Sequence, residues 1–271
     1  MLSVISFNTN SIRQRIHQLS VLIEKYNPDF IGIQETKVTD EDFPVAAINE
    51  LGYHVHFHGQ KTHYGVALLS KHEFLSVEKG FPHDTEDSQK RIISGRFASP
   101  FGGEITVING YFPQGESNEH PTKYPNKKNF YADLTQSLKD NYSPDDQVIV
   151  MGDINVSTTD NDIGIGEDNR KRWLKAGKCS FLPEEREWLE TLKSWGLADT
   201  FRKHYPDVND MYSWFDYRSR GFDREPKRGL RIDAILTTSS LYDRSQAAGI
   251  DYDVRGMEKP SDHAPIWTRF E

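Results

Sequence analysis

Acidic, amide and histidine side chains recur beside short apolar runs in this sequence. Seven residues lie within such a run or within a few residues of one: Asn8, Glu35, Asp153, Asn155, Asp233, Asp262 and His263. The runs are typical of β-strands, and repeated placement at strand ends indicates that a sheet edge gathers these side chains. Hard oxygen ligands combined with a histidine form divalent-metal sites. The sequence therefore predicts metal-dependent chemistry at a sheet edge.

The segment Gly152-Asp153-Ile154-Asn155 follows the apolar run 147–151 directly. The glycine can make the turn, so that Asp153 and Asn155 point to the same side. Their alternative role is that of ordinary turn residues, because Asp and Asn are common after strands. Glu35 is suited to bind Mg²⁺, which takes one or two carboxylates and leaves its other positions to water and substrate phosphate. The alternative for Glu35 is a surface residue that opens a loop.

A carboxylate at Asp233 lies in an otherwise apolar run, where it is costly unless it is paired. His263 is an obvious partner, because a carboxylate orients an imidazole and raises its basicity. His263 would then act as a general base on water or support a phosphate; a structural histidine is the alternative. Tyr111 offers a phenol to phosphoryl oxygens, with a core tyrosine as the alternative. For Asn8 the alternative is a buried amide that satisfies backbone groups.

Charge is unevenly distributed in this acidic chain. The net charge is -8, from 33 Lys and Arg against 41 Asp and Glu. Residues 170–178 nevertheless carry five basic side chains and no acidic one, and 218–231 carry six basic against two acidic ones. Such clusters fit a phosphate-facing rim around a metal site whose acids are neutralised by cations. Solvated helix or loop faces are the alternative.

Hydrophobic periodicity predicts an α/β protein. Apolar residues recur at helical spacing from Ile12 to Tyr26 after Ser11, a favourable N-cap, and Asn27-Pro28 ends this helix. Further helices are predicted within 129–138 and from 183 to 195, and antiparallel strands at 53–57, 66–70, 92–97 and 105–109.

Three long segments, 114–128, 157–180 and 216–229, are predicted to be ordered loops, which are usually functional at this length. The simplest architecture is a two-sheet α/β sandwich with these loops along one edge.

The size of the chain, 271 residues, favours a single domain over residues 1–271. The apolar runs are only a few residues long, so neither a membrane span nor a signal peptide is predicted. Cys179 is the only cysteine and cannot form an internal disulfide. These features suit a reducing compartment, and the cytoplasm is the expected location.

Ordered motifs along the chain resemble the exonuclease III family of DNA-repair nucleases. They are Phe7-Asn8-Thr9-Asn10, Gln34-Glu35-Thr36-Lys37, Asn109-Gly110-Tyr111, Gly152-Asp153-Ile154-Asn155, Arg231-Ile232-Asp233 and Ser261-Asp262-His263-Ala264-Pro265. The resemblance covers essentially the whole chain. It implies a four-layered α/β sandwich of the DNase I type, with two mixed β-sheets flanked by helices. It also implies a Mg²⁺- or Mn²⁺-dependent phosphodiesterase of base excision repair. Its expected activities are 3′-to-5′ digestion of duplex DNA, incision 5′ to abasic sites and removal of 3′ blocking groups.

The resemblance also assigns roles to residues. Catalytic roles fall to Tyr111, Asp153, Asn155, Asp233 and His263, and metal-site roles to Asn8, Glu35, Asp153, Asn155, Asp262 and His263. Glu35 is the principal metal ligand, and Asp233 orients His263. Whether Asp153 or His263 takes the proton from water, and whether one or two metals act, stay open.

The substrate is expected to be double-stranded DNA, especially abasic sites and 3′ ends, bound by a monomer. The residues predicted to contact it are Arg170, Lys175, Lys178, Trp214, Leu230 and Ile232. Trp214, Leu230 and Ile232 are apolar side chains suited to hold a sugar without a base. Two alternatives share the catalytic set or the fold: a phosphoinositide or lipid phosphatase, and a noncatalytic DNA-binding module. Clustered acids are costly, and this disfavours the noncatalytic module.

Overall fold

The computed structural model describes all residues, 1–271, and contains twelve strands and eight α-helices. The strands are β1 (Leu2–Asn8), β2 (Phe30–Gln34), β3 (His54–His58), β4 (Val66–Ser70), β5 (Ser76–Lys79), β6 (Ile92–Ala98), β7 (Glu104–Tyr111), β8 (Gln147–Asp153), β9 (Ala198–Asp199), β10 (Asp233–Thr237), β11 (Ser245–Ile250) and β12 (Ile266–Phe270). The helices are α1 (Ile16–Tyr26), α2 (Val45–Glu50), α3 (Lys123–Asn141), α4 (Glu167–Lys175), α5 (Pro183–Lys193), α6 (Thr200–His204), α7 (Ser239–Tyr242) and α8 (Tyr252–Arg255).

The strands form two six-stranded sheets. The order in the first sheet is β11-β12-β1-β2-β4-β3, and in the second it is β5-β6-β7-β8-β10-β9. Both sheets are mixed, because β1 and β2 run parallel in the first and β7 and β8 run parallel in the second, while the other pairs are antiparallel. The predicted sandwich of two mixed sheets flanked by helices is confirmed.

Three apolar clusters separate the four layers. The central cluster lies between the sheets and joins residues such as Leu68 of β4 and Val107 of β7. A second cluster packs α3 and α5 on the outer face of one sheet, and a third packs α1 on the outer face of the other. A strand that is buried on both faces has apolar residues at consecutive positions. This explains why the strands appear in the sequence as continuous apolar runs and not as alternating apolar and polar residues.

Alternation along the strands directs the polar residues into the central layer. In β8, Val148 and Val150 pack against the helices, whereas Ile149 and Met151 face the other sheet. Because side chains alternate in a strand, Asp153 faces the other sheet as well. The same parity holds for Asn8 in β1, Tyr111 in β7 and Asp233 in β10. All four lie at the same end of the sandwich.

The close contact between β7 and β8 explains why the Gly-Asp-Ile-Asn segment has a glycine at its first position. Gly152 is paired with Gly110 and has φ 147°, in the region that favours glycine. A Cβ atom on Gly152 would lie only 1.8 Å from the Gly110 carbonyl oxygen. Glycine at this position therefore allows β7 and β8 to stay paired up to Tyr111 and Asp153.

Several local expectations were wrong. Ser11 does not cap α1: it precedes a short 3-10 turn over Ile12–Gln14 without a side-chain cap hydrogen bond, and α1 begins at Ile16. The segment 157–180 is no continuous loop, because it contains α4, and 114–128 contains the first turn of α3. The antiparallel pairing predicted for the four central strands is confirmed for β3 with β4 and for β6 with β7, but β4 and β6 lie in different sheets.

Other local expectations agree with the structure. Asn27, in the left-handed conformation, ends α1 as predicted. None of the helices has both the length and the apolar composition needed to cross a membrane.

Candidate active site

The strand ends bring the predicted acids together. Asn8 is buried, and its side-chain amide donates to Glu35 Oε1 and to Asp153 Oδ2, each at 2.9 Å. Asn8 Oδ1 accepts the backbone N–H of Asn10 at 3.0 Å. In this arrangement Asn8 orients the two carboxylates through its N–H groups. Its predicted role as a metal ligand stays a prediction.

A buried His-Asp pair faces these carboxylates. His263 Nδ1 lies 2.8 Å from Asp233 Oδ2, and His263 Nε2 lies 3.6 Å from Asp153 Oδ2. Two serines hold the pair. Ser213 Oγ accepts the backbone N–H of Asp233 at 3.1 Å, and Ser261 Oγ accepts that of His263 at 3.2 Å. The arrangement points the free ring nitrogen at Asp153, as the pairing of Asp233 and His263 in the sequence predicted.

Burial and charge shift the acidity of both groups. Burial raises the pKa of Asp153 above its usual range, and the nearby carboxylates of Asp233 and Glu35 raise it further against the effect of His263. Burial alone would lower the pKa of His263, but the carboxylates of Asp233 and Asp153 outweigh it and raise that pKa. These groups favour a bound proton or another positive charge between them.

The donor set fits a divalent cation. One ligand atom each from Glu35, Asp153 and His263 lies within 4.8 Å of the others. Asp153 and His263 are buried, whereas 15% of the Glu35 side chain is exposed to solvent. The cluster is therefore open to solvent on the Glu35 side. Two carboxylates and one imidazole can hold a divalent cation.

Asp262 lies beside the cluster and outside its shortest contacts. Its Oδ2 accepts the indole N–H of Trp214 at 3.1 Å, and its Oδ1 accepts the side-chain amide of Asn10 at 2.9 Å. Lys37 forms a 2.9 Å ion pair with Glu35 Oε2 and also contacts Asn10. A chain of polar contacts thus connects Trp214 to Glu35, and a metal role for Asp262 stays a prediction.

Asn155 and Tyr111 flank the carboxylates. The Asn155 amide donates to the Phe112 carbonyl at 2.9 Å, and its backbone, at φ 54°, adopts the left-handed conformation that asparagine tolerates. Burial raises the pKa of Tyr111 well above its usual value, and the charges of Glu35 and Asp153 add to this effect. Tyr111 therefore stays a neutral hydrogen-bond donor.

The sequence patterns did not indicate a role for Arg91 in the site. Its guanidinium lies 4.3 Å from the ring centre of Tyr64 and 4.7 Å from that of Tyr111, and it donates to the Tyr111 carbonyl at 3.1 Å. These contacts place a positive charge next to the acidic cluster. The only sequence signal was a basic residue directly before the apolar run of β6.

The three basic residues predicted to bind DNA lie on and beside α4. Arg170 is held in ion pairs with Asp160 at 2.6 Å and Glu167 at 3.9 Å, so part of its charge is already compensated. Lys175 is exposed in the last turn of α4, and Lys178 Nζ lies 4.6 Å from the centre of the Trp173 ring. Lys175 is thus the freest of the three predicted cations.

Leu230 and Ile232 lie behind Trp214. Only 1% of Leu230 and 4% of Ile232 is exposed, because both belong to a small apolar cluster with Ile165 and Phe181. Trp214 packs on this cluster and pairs through backbone bridges with Leu230 and His263. Of the three apolar residues predicted to contact DNA, Trp214 can face a ligand. Leu230 and Ile232 are buried and support the Trp214 side chain.

Fold and site together define a class of hydrolases that cleave phosphoesters with a metal-binding acidic cluster at the edge of a four-layered α/β sandwich. The model of the Endonuclease/Exonuclease/phosphatase family matches residues 5–263. The exodeoxyribonuclease III of Haemophilus influenzae is 58% identical over 267 residues, which cover 98% of this chain and 99% of that protein.

Solved structures agree with this match. An AP endonuclease from Archaeoglobus fulgidus has a TM-score of 0.90 at 34% identity, with 100% of both chains covered. A 3′ phosphatase from Neisseria, bound to a product DNA hairpin, has a TM-score of 0.89 at 31% identity, again with 100% of both chains covered. The chain therefore belongs to the Endonuclease/Exonuclease/phosphatase family, as a DNA-repair nuclease of the exonuclease III type.

Proposed function

We propose that this nuclease uses Mg²⁺ or Mn²⁺ to hydrolyse phosphodiester bonds of double-stranded DNA, 5′ to abasic sites and at ordinary or blocked 3′ ends. The observation that carries the proposal is the buried pair of His263 and Asp233 facing Asp153 and Glu35. The relatives named as exodeoxyribonuclease III and AP endonuclease support the same substrates. The chain would act as a monomer on its DNA.

The residues of the site would have different roles in the reaction. Glu35, Asp153 and His263 would hold the cation, with Asn8 orienting the two carboxylates. When bound, a divalent cation offsets the charge of the scissile phosphate and makes water easier to deprotonate. Asp233 fixes the His263 ring with Nε2 toward Asp153. The proton of the attacking water would go to Asp153, or to His263 Nε2 if that nitrogen does not hold the cation.

The phosphate would be held from the other side of the cluster. Tyr111 stays protonated and can donate to a phosphoryl oxygen, and Asn155 lies beside Asp153 for the same purpose. Arg91, which packs on the Tyr111 ring, adds positive charge beside Tyr111. Such donors act strongly in a site that excludes water, because they are already oriented before the reaction.

The test compares substrates in one assay. A labelled duplex with a single abasic analogue, an unmodified duplex with a recessed 3′ end and a soluble phosphoinositide are incubated with Mg²⁺. The proposal requires incision at the analogue and shortening from the 3′ end. Release of phosphate from the phosphoinositide alone would favour the lipid-phosphatase alternative, and DNA binding without cleavage would favour the noncatalytic module.

Lys175 and Lys178 are expected to contact DNA phosphates. Replacing both with Gln should weaken binding to all duplexes alike and reduce the salt dependence of the affinity by about one unit of slope per lysine. Affinity is measured by fluorescence anisotropy at several salt concentrations. The matched control replaces Lys139 and Lys193, in the last turns of α3 and α5. An unchanged slope in the first variant would assign both lysines to a solvated face.

Trp214 is expected to select the abasic sugar. Every nucleotide offers a phosphodiester, so a preference for an abasic site needs a pocket that admits a bare deoxyribose. Trp214→Ala should lower abasic-site incision by about tenfold or more, with smaller changes in metal affinity and melting temperature.

Trp195→Ala provides the comparison, because Trp195 packs on the cluster under α5 and should affect stability without affecting preference. Equal losses of incision and stability in Trp214→Ala would make Trp214 an ordinary core residue. An unchanged abasic preference would remove Trp214 from the pocket.

A further inference from the structure

A cavity of about 250 Å³ lies between α4 and the 216–229 segment. Trp173, Trp214 and Ile165 supply its apolar lining. Its charged lining is mainly basic, because Arg172, Lys178, Arg224 and Arg228 stand against Asp216 alone. Apart from Trp214 and Lys178, none of the residues that line the cavity has a role in the proposed function.

Trp214 connects the cavity to the reaction site. Its ring lines the cavity, while its indole N–H is fixed on Asp262 at 3.1 Å. Its backbone forms a bridge with His263, the residue that faces the acidic cluster. Trp214 therefore lies next to both the cavity and the acidic cluster.

The walls of the cavity are already fixed. On one side, Arg228 N–H donates to the Gly221 carbonyl at 2.9 Å, and Phe222 packs against Phe215 with ring centres 5.2 Å apart. On the other side, the rings of Trp173 and Phe181 stack at 5.7 Å. Ligand sites are usually largely preformed, and this cavity meets that condition.

We propose that the cavity is a nucleobase subsite, which takes the base of the terminal nucleotide during 3′-to-5′ digestion; this inference rests on the proposed function. A bare deoxyribose needs no such space, whereas an ordinary nucleotide must place its base outside the helical stack. Aromatic rings accept any base, and arginines add donors and positive charge. The volume is slightly below the usual range for ligand pockets, about 300–1,000 Å³, and suits one base.

Filling the cavity tests the proposal. Ser219 lines it, and Ser219→Phe adds a ring to the space a base would use. Two otherwise identical duplexes are compared with Mg²⁺, one for digestion of ordinary 3′ nucleotides and one carrying an abasic analogue for incision. Digestion should fall by roughly tenfold or more relative to incision. Equal losses on both substrates, or no loss on either, would overturn the subsite.

A charge variant gives an independent measurement if Ser219→Phe fails to fold. Arg228→Gln should reduce digestion several-fold more than incision, because Arg228 lines the cavity. Arg218→Gln removes the same charge from the same segment outside the cavity lining and should change both activities by one common factor. An equal effect of the two variants on the ratio of activities would overturn the subsite.

Binding without turnover separates this inference from the proposed function. With Mg²⁺ present and no duplex to cleave, dAMP should quench tryptophan fluorescence through Trp173 and Trp214, whereas deoxyribose 5-phosphate should not, and Ser219→Phe should abolish the quenching. Equal quenching by both compounds, or none by dAMP, would contradict a base subsite. If wild-type protein cleaves neither duplex with Mg²⁺, the proposed function fails, whatever the outcome with dAMP.

Discussion

Cleavage of duplex DNA by this protein is expected to stop in EDTA and to return when Mg²⁺ or Mn²⁺ is added in excess. Glu35, Asp153 and Asp233 place three carboxylates around one histidine, and without a cation this cluster repels a phosphodiester. Activity is measured on an abasic duplex and on a recessed 3′ end, before chelation, in chelator and after titration with each metal.

The chelated protein must remain folded for this result to be informative. The fold relies on three large apolar clusters, so circular dichroism and the melting temperature should show a folded chain in EDTA. Full activity of folded protein in chelator would contradict the metal hypothesis.

The elements and the polar residues at their ends could be predicted because both depend on local sequence. Apolar runs marked most central strands, and residues such as Asp153 and Asp233 directly follow or interrupt those runs. A buried carboxylate demands a partner, and this physical requirement predicted the contact of Asp233 with His263 across 30 residues of sequence.

Contacts that depend on the packing of whole layers could not be predicted in the same way. Leucine and isoleucine occur both in surface pockets and in cores, so the sequence could not tell which applies to Leu230 and Ile232. Their packing in the small cluster behind Trp214 shows that both are buried. The helix α4 has no buried residue, so it lacks the apolar face that marks a helix in sequence.

Arg91 illustrates a third limit. A single basic residue before a strand is common, and its importance comes from the rings of Tyr64 and Tyr111, which approach it from other parts of the chain. The assignment of strands to sheets also depends on contacts with distant parts of the chain. Among the predicted strands β6 comes directly after β4, but the two belong to different sheets because β4 pairs with β2 and β3.

Glu35→Ala, Asp153→Asn and His263→Ala are each expected to lower turnover by about 10²–10⁴-fold, on the scale of losing a general base or a metal ligand. Asp153 and His263 are buried among other charged groups, and Glu35 adds to the same crowded set. The melting temperature of Glu35→Ala and Asp153→Asn should therefore change little or rise, whereas that of His263→Ala should fall because Asp233 loses its buried partner. Single-turnover cleavage of an abasic duplex and thermal melting are measured on the same preparations.

Two further variants make this result interpretable. Asp145→Asn changes an exposed aspartate just before β8 and should leave turnover and melting temperature unchanged. Asp233→Asn weakens the acceptor for His263 Nδ1, which lies 2.8 Å away, and should also lower turnover because the imidazole loses its orientation. If the first three variants were unfolded while Asp233→Asn kept full activity, the assigned roles would be wrong, because loss of structure would then explain the loss of cleavage.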